Sequence, residues 1–342
     1  MDIHVRGQVE FEKILDYTFT NSITLTRQRI TIQQLLDQQN NESTDDDHKK
    51  LIRHLTTYSD GIASIIVKLP ETTIQCQPCF SWTIDHERVQ SSCWILEALM
   101  PKIVSFQLQL KMGHKHVQLQ QYKAANKCYK TATITTTETE TLVNRWKWKL
   151  AGMNQRILSS KWHLAQKYYS ECLQLLCTVS VGIQTETNDT AMYTLSQRIL
   201  RAASLSFIHW KTNEVGSIIT MADGLRYMYS ANILWNREEY GQSIHRLDNW
   251  VCNRSIPTGN WDILEKEFEK VPFLLQERIH TNNGAYFEPI RAAITLPDIQ
   301  TIIHTKNTKH PEKGPYENTD PSSDQQNPDS ALLMSASRGD NS

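Results

Sequence analysis

The chain has 342 residues with 36 basic and 37 acidic side chains, which gives a formal net charge of -1. This balance argues against binding of duplex nucleic acid through a basic face. With only 12 glycines and 11 prolines, the sequence lacks the turn signals that a many-stranded sheet needs. We therefore expect a mainly all-α protein. Because no apolar run reaches about 18 residues and the N-terminus lacks a secretory signal, we also expect it in the cytoplasm.

The first 70 residues predict one β element and one long helix. We assign residues 3–9 and 23–30 to a small N-terminal β-ribbon. A helix is predicted over residues 48–69, where apolar side chains recur every three or four positions. Thr44 or Asp47 is available to cap this helix at its N-terminus.

The next segments differ in their apolar content. Apolar side chains at helical spacing predict a helix over residues 91–110, either kinked at Pro101 or divided there into two, because proline removes a backbone donor. Residues 130–142 alternate Thr with Glu and contain few apolar side chains. This segment is predicted to be an exposed helical hairpin or a polar linker rather than core.

A weak internal repeat indicates how the helices are arranged. Each copy has an aromatic residue, a small residue three positions later, and a large apolar residue further on. The pairs are Tyr122 with Ala125, Trp162 with Ala165, and Tyr240 with Ser243. Small residues let two helices approach closely, as in tetratricopeptide-like arrays, although amphipathic helices also produce this pattern by chance.

The C-terminal end of the chain differs from the rest in composition. Residues 309–342 are rich in Pro, Ser, Asn and Asp, and carry three basic against six acidic side chains. Such a segment buries too little apolar surface to fold, so we expect a disordered tail. The predicted domains are therefore a helical body over residues 1–308 and a polar tail over residues 309–342.

Motifs for catalysis are sparse. Cys76 and Cys79 form a C-x-x-C pair, but no second Cys pair or His pair stands at a matching distance for zinc. Glycine-rich phosphate loops and nucleophile elbows are also missing from the sequence. Residues 145–149 read RWKWK, which suits a lipid surface, single-stranded nucleic acid, or a helix with one Trp in the core, and we favour the last. We expect seven reduced thiols and no catalytic residue, cofactor or metal.

Two segments in the second half carry a family resemblance. Residues 229–247 read YSANILWNREEYGQSIHRL, with a small-residue helix, a charged turn, an aromatic-Gly pair and an Arg-Leu pair. Residues 282–290 read NNGAYFEPI. In this order they resemble the late helical hairpin and the extended returning segment of the Bro domain, the helical module of Alix and its fungal relatives.

Within this family the resemblance is closest to the short fungal PalC type, the ambient-pH response regulators. It covers about residues 1–300 and includes residues 54–62 and 80–100, which resemble two N-terminal PalC segments. The resemblance implies an elongated helical body with a tetratricopeptide-like middle. It also implies a non-enzymatic adaptor that receives the C-terminal helix of an ESCRT-III subunit and reaches endosomal or plasma membranes through partners. In PalC-like proteins this role leads, with other pH-signalling components, to proteolytic activation of a transcription factor.

The resemblance also places the partner-binding groove. It would lie between helices predicted over residues 161–179 and 191–210, joined by a polar turn. The residues that match the family's apolar patch are Leu173, Leu176, Leu195 and Ile199. Each of these four also suits ordinary core packing, and both interpretations stay open at this point.

Two other functions are compatible with the sequence. A generic tetratricopeptide-like adaptor would bind peptides through a basic carboxylate clamp, although no clustered Lys and Asn on the repeat helices supports one. An enzyme would use the thiols of Cys76 and Cys79.

Overall fold

The computed structural model describes residues 3–6, 9, 11, 22–39, 43–69, 80–84, 87–146, 156–253 and 261–290. Within these ranges the chain forms nine α-helices and three short strands, which confirms the predicted fold class. The strands are β1 (Ile3–Arg6), β2 (Phe80–Ile84) and β3 (Glu87–Ser91). The helices are α1 (Ser22–Asp37), α2 (Asp45–Ile66), α3 (Trp94–Gln118), α4 (Tyr122–Arg145), α5 (Ser160–Gln184), α6 (Asp189–His209), α7 (Asn213–Asn236), α8 (Tyr240–Asn253) and α9 (Asp262–Thr281). None of the described helices is long and apolar enough to cross a bilayer. The predicted tail and its boundary at residue 309 lie outside the described residues.

Each helix from α1 to α9 packs against the one that follows it in the chain. The small residues of the predicted repeat, Ala125, Ala165 and Ser243, are fully buried near the starts of α4, α5 and α8. α4 and α5 are direct neighbours, so the first two copies of the repeat fall at the starts of successive helices. The repeat therefore marks helix starts that are closely packed, and its spacing is not that of a helical hairpin.

The strands form one antiparallel sheet in the order β1-β2-β3, with Ile3 opposite Ile84 and Phe80 opposite Ser91. The predicted β-ribbon was correct for β1 and wrong for its partner, because residues 23–30 lie in α1. The buried side chains of α1 recur at helical spacing, and they are Leu25, Arg29, Ile32 and Leu36. The true partner of β1 comes from the hairpin of β2 and β3.

Two N-terminal helices follow the predictions closely. α2 begins after Thr44, whose hydroxyl accepts the backbone N–H of Asp47 at 3.2 Å, while the Asp47 carboxylate accepts the backbone N–H of Thr44 at 2.9 Å. Both predicted caps therefore act together as a capping box. α3 runs without interruption through Pro101, so of the two alternatives it is one helix.

Residues 130–142, predicted to lie outside the core, are part of the long helix α4, with Thr136 and Thr139 buried. Threonine is a weak helix former because its hydroxyl competes for backbone groups. In α4 each threonine hydroxyl donates to the carbonyl four residues earlier, which satisfies both groups inside the helix. The donors are Thr131, Thr133, Thr135, Thr136, Thr137, Thr139 and Thr141.

A buried carboxylate joins the N-terminal elements. Glu97 of α3 is fully buried, and its Oε1 accepts hydrogen bonds from Arg29 Nε at 2.8 Å and the Tyr58 hydroxyl at 2.6 Å. Its Oε2 accepts Trp82 Nε1 at 2.7 Å. Burial and the Glu97 charge raise the pKa of Tyr58 well above its ordinary value, so the phenol stays a donor. α1, α2, β2 and α3 therefore share one polar centre inside their apolar core.

A second buried network joins the C-terminal helices. Arg278 of α9 donates to Ser243 Oγ at 2.8 Å and to Asn232 Oδ1 at 2.7 Å, and its guanidinium lies 4.9 Å from the Trp235 ring centroid. Asn232 Nδ2 donates in turn to Asp189 at 2.9 Å. Burial lowers the pKa of Arg278 to about 10, which leaves it charged at neutral pH. The network links α6, α7, α8 and α9.

Residues 282–290, expected to be extended, begin with a π-helical turn over Asn282–Tyr286 that continues α9. Residues 287–290 then lie against the start of α8. There the Glu288 carboxylate accepts the backbone N–H of Gly241, and Tyr286 stacks on Tyr240 with 3.8 Å between ring centroids. A carboxylate at this position is favoured by the unsatisfied N–H groups and the dipole of a helix N-terminus.

Candidate functional site

α5 packs between α4 and α6, and hydrogen bonds define both contacts. Asn126 of α4 donates to the Gln174 carbonyl at 3.1 Å and to Thr178 Oγ1 at 3.0 Å. On the α6 side, Ser206 Oγ donates to the Ala165 carbonyl at 3.0 Å. These small side chains place α5 between the other two helices, so only part of its surface can reach solvent.

The bounds of α5 and α6 agree with the two predicted groove helices, and Asn188 in the connecting turn caps α6. The four residues matched to the apolar patch differ in burial. Leu173, Leu176 and Ile199 have 1%, 0% and 0% of their surface exposed, so a partner cannot contact them in this conformation. Leu195 is half-buried and accessible.

Leu195 lies along the edge of α6 that faces α5. It precedes Ile199 by one helical turn, and the Ile199 carbonyl is within 3.8 Å of Cys172 Sγ of α5. Leu173 and Leu176 are buried on α5, and Ile199 is buried where α6 contacts α5. Of the four predicted residues, Leu195 is the one that is accessible at the surface.

One row of accessible side chains lies on a single face of α5, and we call it the α5 strip. It consists of half-buried side chains at helical spacing, and they are Leu164, Tyr168, Glu171 and Thr178. Sequence reasoning missed this row, although the spacing of 4, 3 and 7 residues was readable. The α5 strip, with α4 and α6 beside it and Leu195 at its edge, forms a shallow surface of mixed apolar and polar character.

The opposite side of α5 is fixed to the start of α7. The Tyr169 hydroxyl donates to the Glu214 carboxylate, and the Trp210 ring stands edge-on to Tyr169 with 5.4 Å between centroids. Burial, and next the Glu214 charge, raise the pKa of Tyr169, so this hydroxyl remains protonated. These contacts set the rotation of α5 and thereby which of its residues form the α5 strip.

The described residues offer binding surfaces more clearly than reactive groups. Burial raises the pKa of the Cys172 and Cys177 thiols, which keeps them protonated and unreactive. Among the described residues no cluster of His, Cys, Asp or Glu is placed to hold a metal ion. Cys76 and Cys79 lie outside the described residues. In the basic-aromatic cluster, Trp146 is half-buried against the core and the Arg145 guanidinium is 5.6 Å from its ring centroid, whereas residues 147–149 lie outside the described residues.

Solved structures with the same arrangement of helices identify the fold. The chain is 12% identical to the protein in the ALIX BRO1 CHMP4C complex, with a TM-score of 0.67 over 87% of this chain and 91% of that one. ALIX in complex with the SIVmac239 PYKEVTEDL late domain gives the same TM-score and identity over 87% of this chain and 46% of that longer one. A structure described as the basis for endosomal targeting by the Bro1 domain gives 0.57 at 12% identity, over 89% and 93%. The chain therefore has the fold of a Bro1 domain.

No family model matches the chain, and no curated protein sequence does.

Proposed function

We propose that this chain is a non-enzymatic adaptor that binds the C-terminal amphipathic helix of an ESCRT-III subunit at the α5 strip. The Bro1-domain fold carries this proposal, because a solved Bro1 domain of this fold is in complex with CHMP4C. The four predicted residues remain part of it. Leu195 would contact the partner, while Leu173, Leu176 and Ile199 would hold α5 and α6 in the receptive spacing.

The chemistry of the strip suits a helix as ligand. An amphipathic helix presents apolar side chains at i, i+3, i+4 and i+7, and the four-residue spacing of Leu164 and Tyr168 on α5 suits such a ligand. Tyrosine is enriched among the side chains that anchor protein contacts, which suits the half-buried Tyr168 to this role. Glu171 in the middle of the α5 strip would favour a partner with a basic residue near its centre.

In the cell, we place this binding within ambient-pH signalling of the fungal PalC type. The adaptor would be cytoplasmic and would reach endosomal or plasma membranes when its ESCRT-III partner assembles there. Its output would be the proteolytic activation of a transcription factor at alkaline pH. The N-terminal segments 54–62 and 80–100, which resemble PalC, support this part of the proposal.

Direct binding tests the proposal. We expect the purified full chain to bind at least one fluorescent peptide from a panel of ESCRT-III C-terminal helices. Tyr168→Asp with Leu195→Asp should weaken this binding by about 30-fold or more, because each charge would remove an anchor worth about 1–2 kcal/mol. Anisotropy titrations measure the change.

The matched control is Phe273→Asp, which puts the same charge on a side chain of α9 that is 74% exposed and lies outside the α5 strip. This variant should bind like the unaltered chain, and all variants should keep the same far-ultraviolet circular dichroism. A chain that binds none of the peptides, or a double variant that binds normally, would contradict the proposal.

A further inference from the structure

The solvent face of α4 carries a row of exposed residues that the proposed function does not use. We call it the α4 lysine face, and its members are Leu119, Lys123, Lys127, Lys130 and Ile134. Spacings of 4, 3 and 4 residues put Lys123, Lys127, Lys130 and Ile134 on one side of α4, and Leu119 precedes them in the turn between α3 and α4. Leu119 and Ile134 are 58% and 52% exposed, so apolar surface accompanies the lysines.

The three ammonium groups of this face are not neutralised within the part of the chain that the structure describes. None of them forms an ion pair with a described carboxylate. Other lysines of the same region are paired, since Lys102 lies 3.1 Å from Glu138 and Lys167 lies 3.7 Å from Glu140. The face therefore presents a concentrated positive charge along two turns of helix.

The α4 lysine face also offers few side chains that would recognise a partner through hydrogen bonds of fixed geometry. The exposed threonines beside it, Thr131 and Thr141, donate their hydroxyl hydrogens to the backbone of α4, so these donors are already used within the helix. Lysine is a hydrated point charge on a flexible stem, whereas arginine would offer the fixed fork that reads a protein carboxylate. Such a surface fits an anionic layer whose charges are diffuse and mobile.

We propose that the α4 lysine face binds an anionic phospholipid bilayer directly. Lys123, Lys127 and Lys130 would lie over the lipid phosphates, and Leu119 and Ile134, which lie on either side of them in the chain, would enter the boundary between headgroups and acyl chains. This goes beyond the proposed function, in which partners bring the protein to membranes. An acidic protein helix is the less suitable ligand, because the apolar anchors bracket the lysines instead of alternating with them.

Vesicle co-sedimentation of the full chain tests this inference. The chain should bind vesicles of phosphatidylcholine with phosphatidylserine, and not vesicles of phosphatidylcholine alone. Lys123→Glu with Lys127→Glu and Lys130→Glu should weaken binding by about 100-fold or more, since each lysine near an anionic surface is worth about a factor of five. Binding of the unaltered chain should be lost near 1 M salt, where the Debye length is about 3 Å.

A triple variant of equal net charge is the control. Lys161→Glu with Lys211→Glu and Lys266→Glu changes three exposed lysines away from α4, two of them on α5 and α9 and one in the connection between α6 and α7. It should keep most of the vesicle binding, and both triple variants should still bind the ESCRT-III peptide, so this test is independent of the proposed function.

Three results would overturn the inference. The first is an unaltered chain that does not bind anionic vesicles, and the second is an equal loss in both triple variants, which would show that net charge alone matters. The third is an α4 variant that keeps its vesicle binding but loses an acidic helical peptide, which would make the partner of this face a protein.

Discussion

His163, in the first turn of α5, is a deeply buried base. Only 1% of its surface is exposed, and neither ring nitrogen has a hydrogen bond of ordinary length and angle among the described residues. Burial lowers the pKa of His163 to about 4, and the nearby backbone of Ile157 opposes this shift. The imidazole is therefore neutral in the folded chain under all ordinary conditions.

The lowered pKa makes His163 a source of acid sensitivity. Between pH 6.5 and pH 4 the unfolded chain binds a proton that the folded chain does not, so stability falls as the pH falls through this window. From pH 7 to pH 5 this residue should cost about 2 kcal/mol. We expect His163→Leu to lose correspondingly less free energy of unfolding over that interval, measured by urea denaturation at both pH values.

His280→Leu is the matched control, since His280 is exposed at the end of α9. It should lose as much stability on acidification as the unaltered chain. The pKa values of His48 and His114 are also lowered by burial, but both residues titrate equally in all three proteins. Equal acid sensitivity of His163→Leu and the unaltered chain would show that His163 is protonated in the folded state.

Gly241 decides whether the segment after α9 can pack on α8. A Cβ atom there would overlap the carbonyl oxygen of Pro289, and this backbone atom cannot rotate away as a side chain would. We expect Gly241→Ala to release residues 287–290, lowering the free energy of local opening by about 1–3 kcal/mol while α8 stays helical. Hydrogen exchange of peptides covering residues 282–290 measures this release.

Gly216 of α7 offers the comparison, because nothing lies within 4 Å of a Cβ built there. Gly216→Ala should stabilise the chain by up to about 1 kcal/mol through helix propensity, with unchanged exchange in residues 282–290. If Gly241→Ala also left that exchange unchanged, the contact between Glu288 and α8 would not hold the segment.

Elements with an amphipathic period were predictable from the sequence, and elements stabilised in other ways were not. α2 followed from its apolar spacing and from the cap at Thr44. Residues 130–142 were not recognised as part of one continuous, partly buried helix, because their alternating Thr and Glu suggest a helical hairpin or a linker, whereas the threonine hydroxyls bond within α4. The segment 23–30 was misassigned because β-branched residues suggest a strand, although Leu25 and Ile32 lie on one helical face.

The sequence predicted which helices form the candidate site, but it did not predict which face of α5 is accessible. α5 buries side chains around most of its circumference, since it packs against α4 and α6 and contacts the start of α7 through Tyr169. Periodicity therefore could not separate Leu173 and Leu176, which point inward, from Leu164 and Tyr168, which do not. Only the position of the neighbouring helices distinguishes these two rows.

The described residues form two regions that are stabilised by different kinds of contact. In the first, α1, α2, the sheet and α3 surround Glu97 and one apolar core, so residues far apart in sequence depend on each other. In the second, α5 to α9 form a succession of neighbours held by local contacts and by the Arg278 network. In a linear array of helices of this kind, one part can unfold locally while the rest stays folded.

Glu97→Gln tests this division. The change leaves the Arg29 guanidinium buried without its anion, a loss that costs about 3–5 kcal/mol. We expect faster hydrogen exchange in residues 22–66 and 80–100, and unchanged protection in α6 to α9, because no described contact of Glu97 reaches those helices. Glu138→Gln is the control, since this carboxylate pairs with Lys102 at the surface, where an ion pair is worth at most about 1 kcal/mol. If Glu97→Gln accelerated exchange equally in all helices, the chain would unfold as one cooperative body, and the α5 strip and the α4 lysine face could not be studied apart from the N-terminal core.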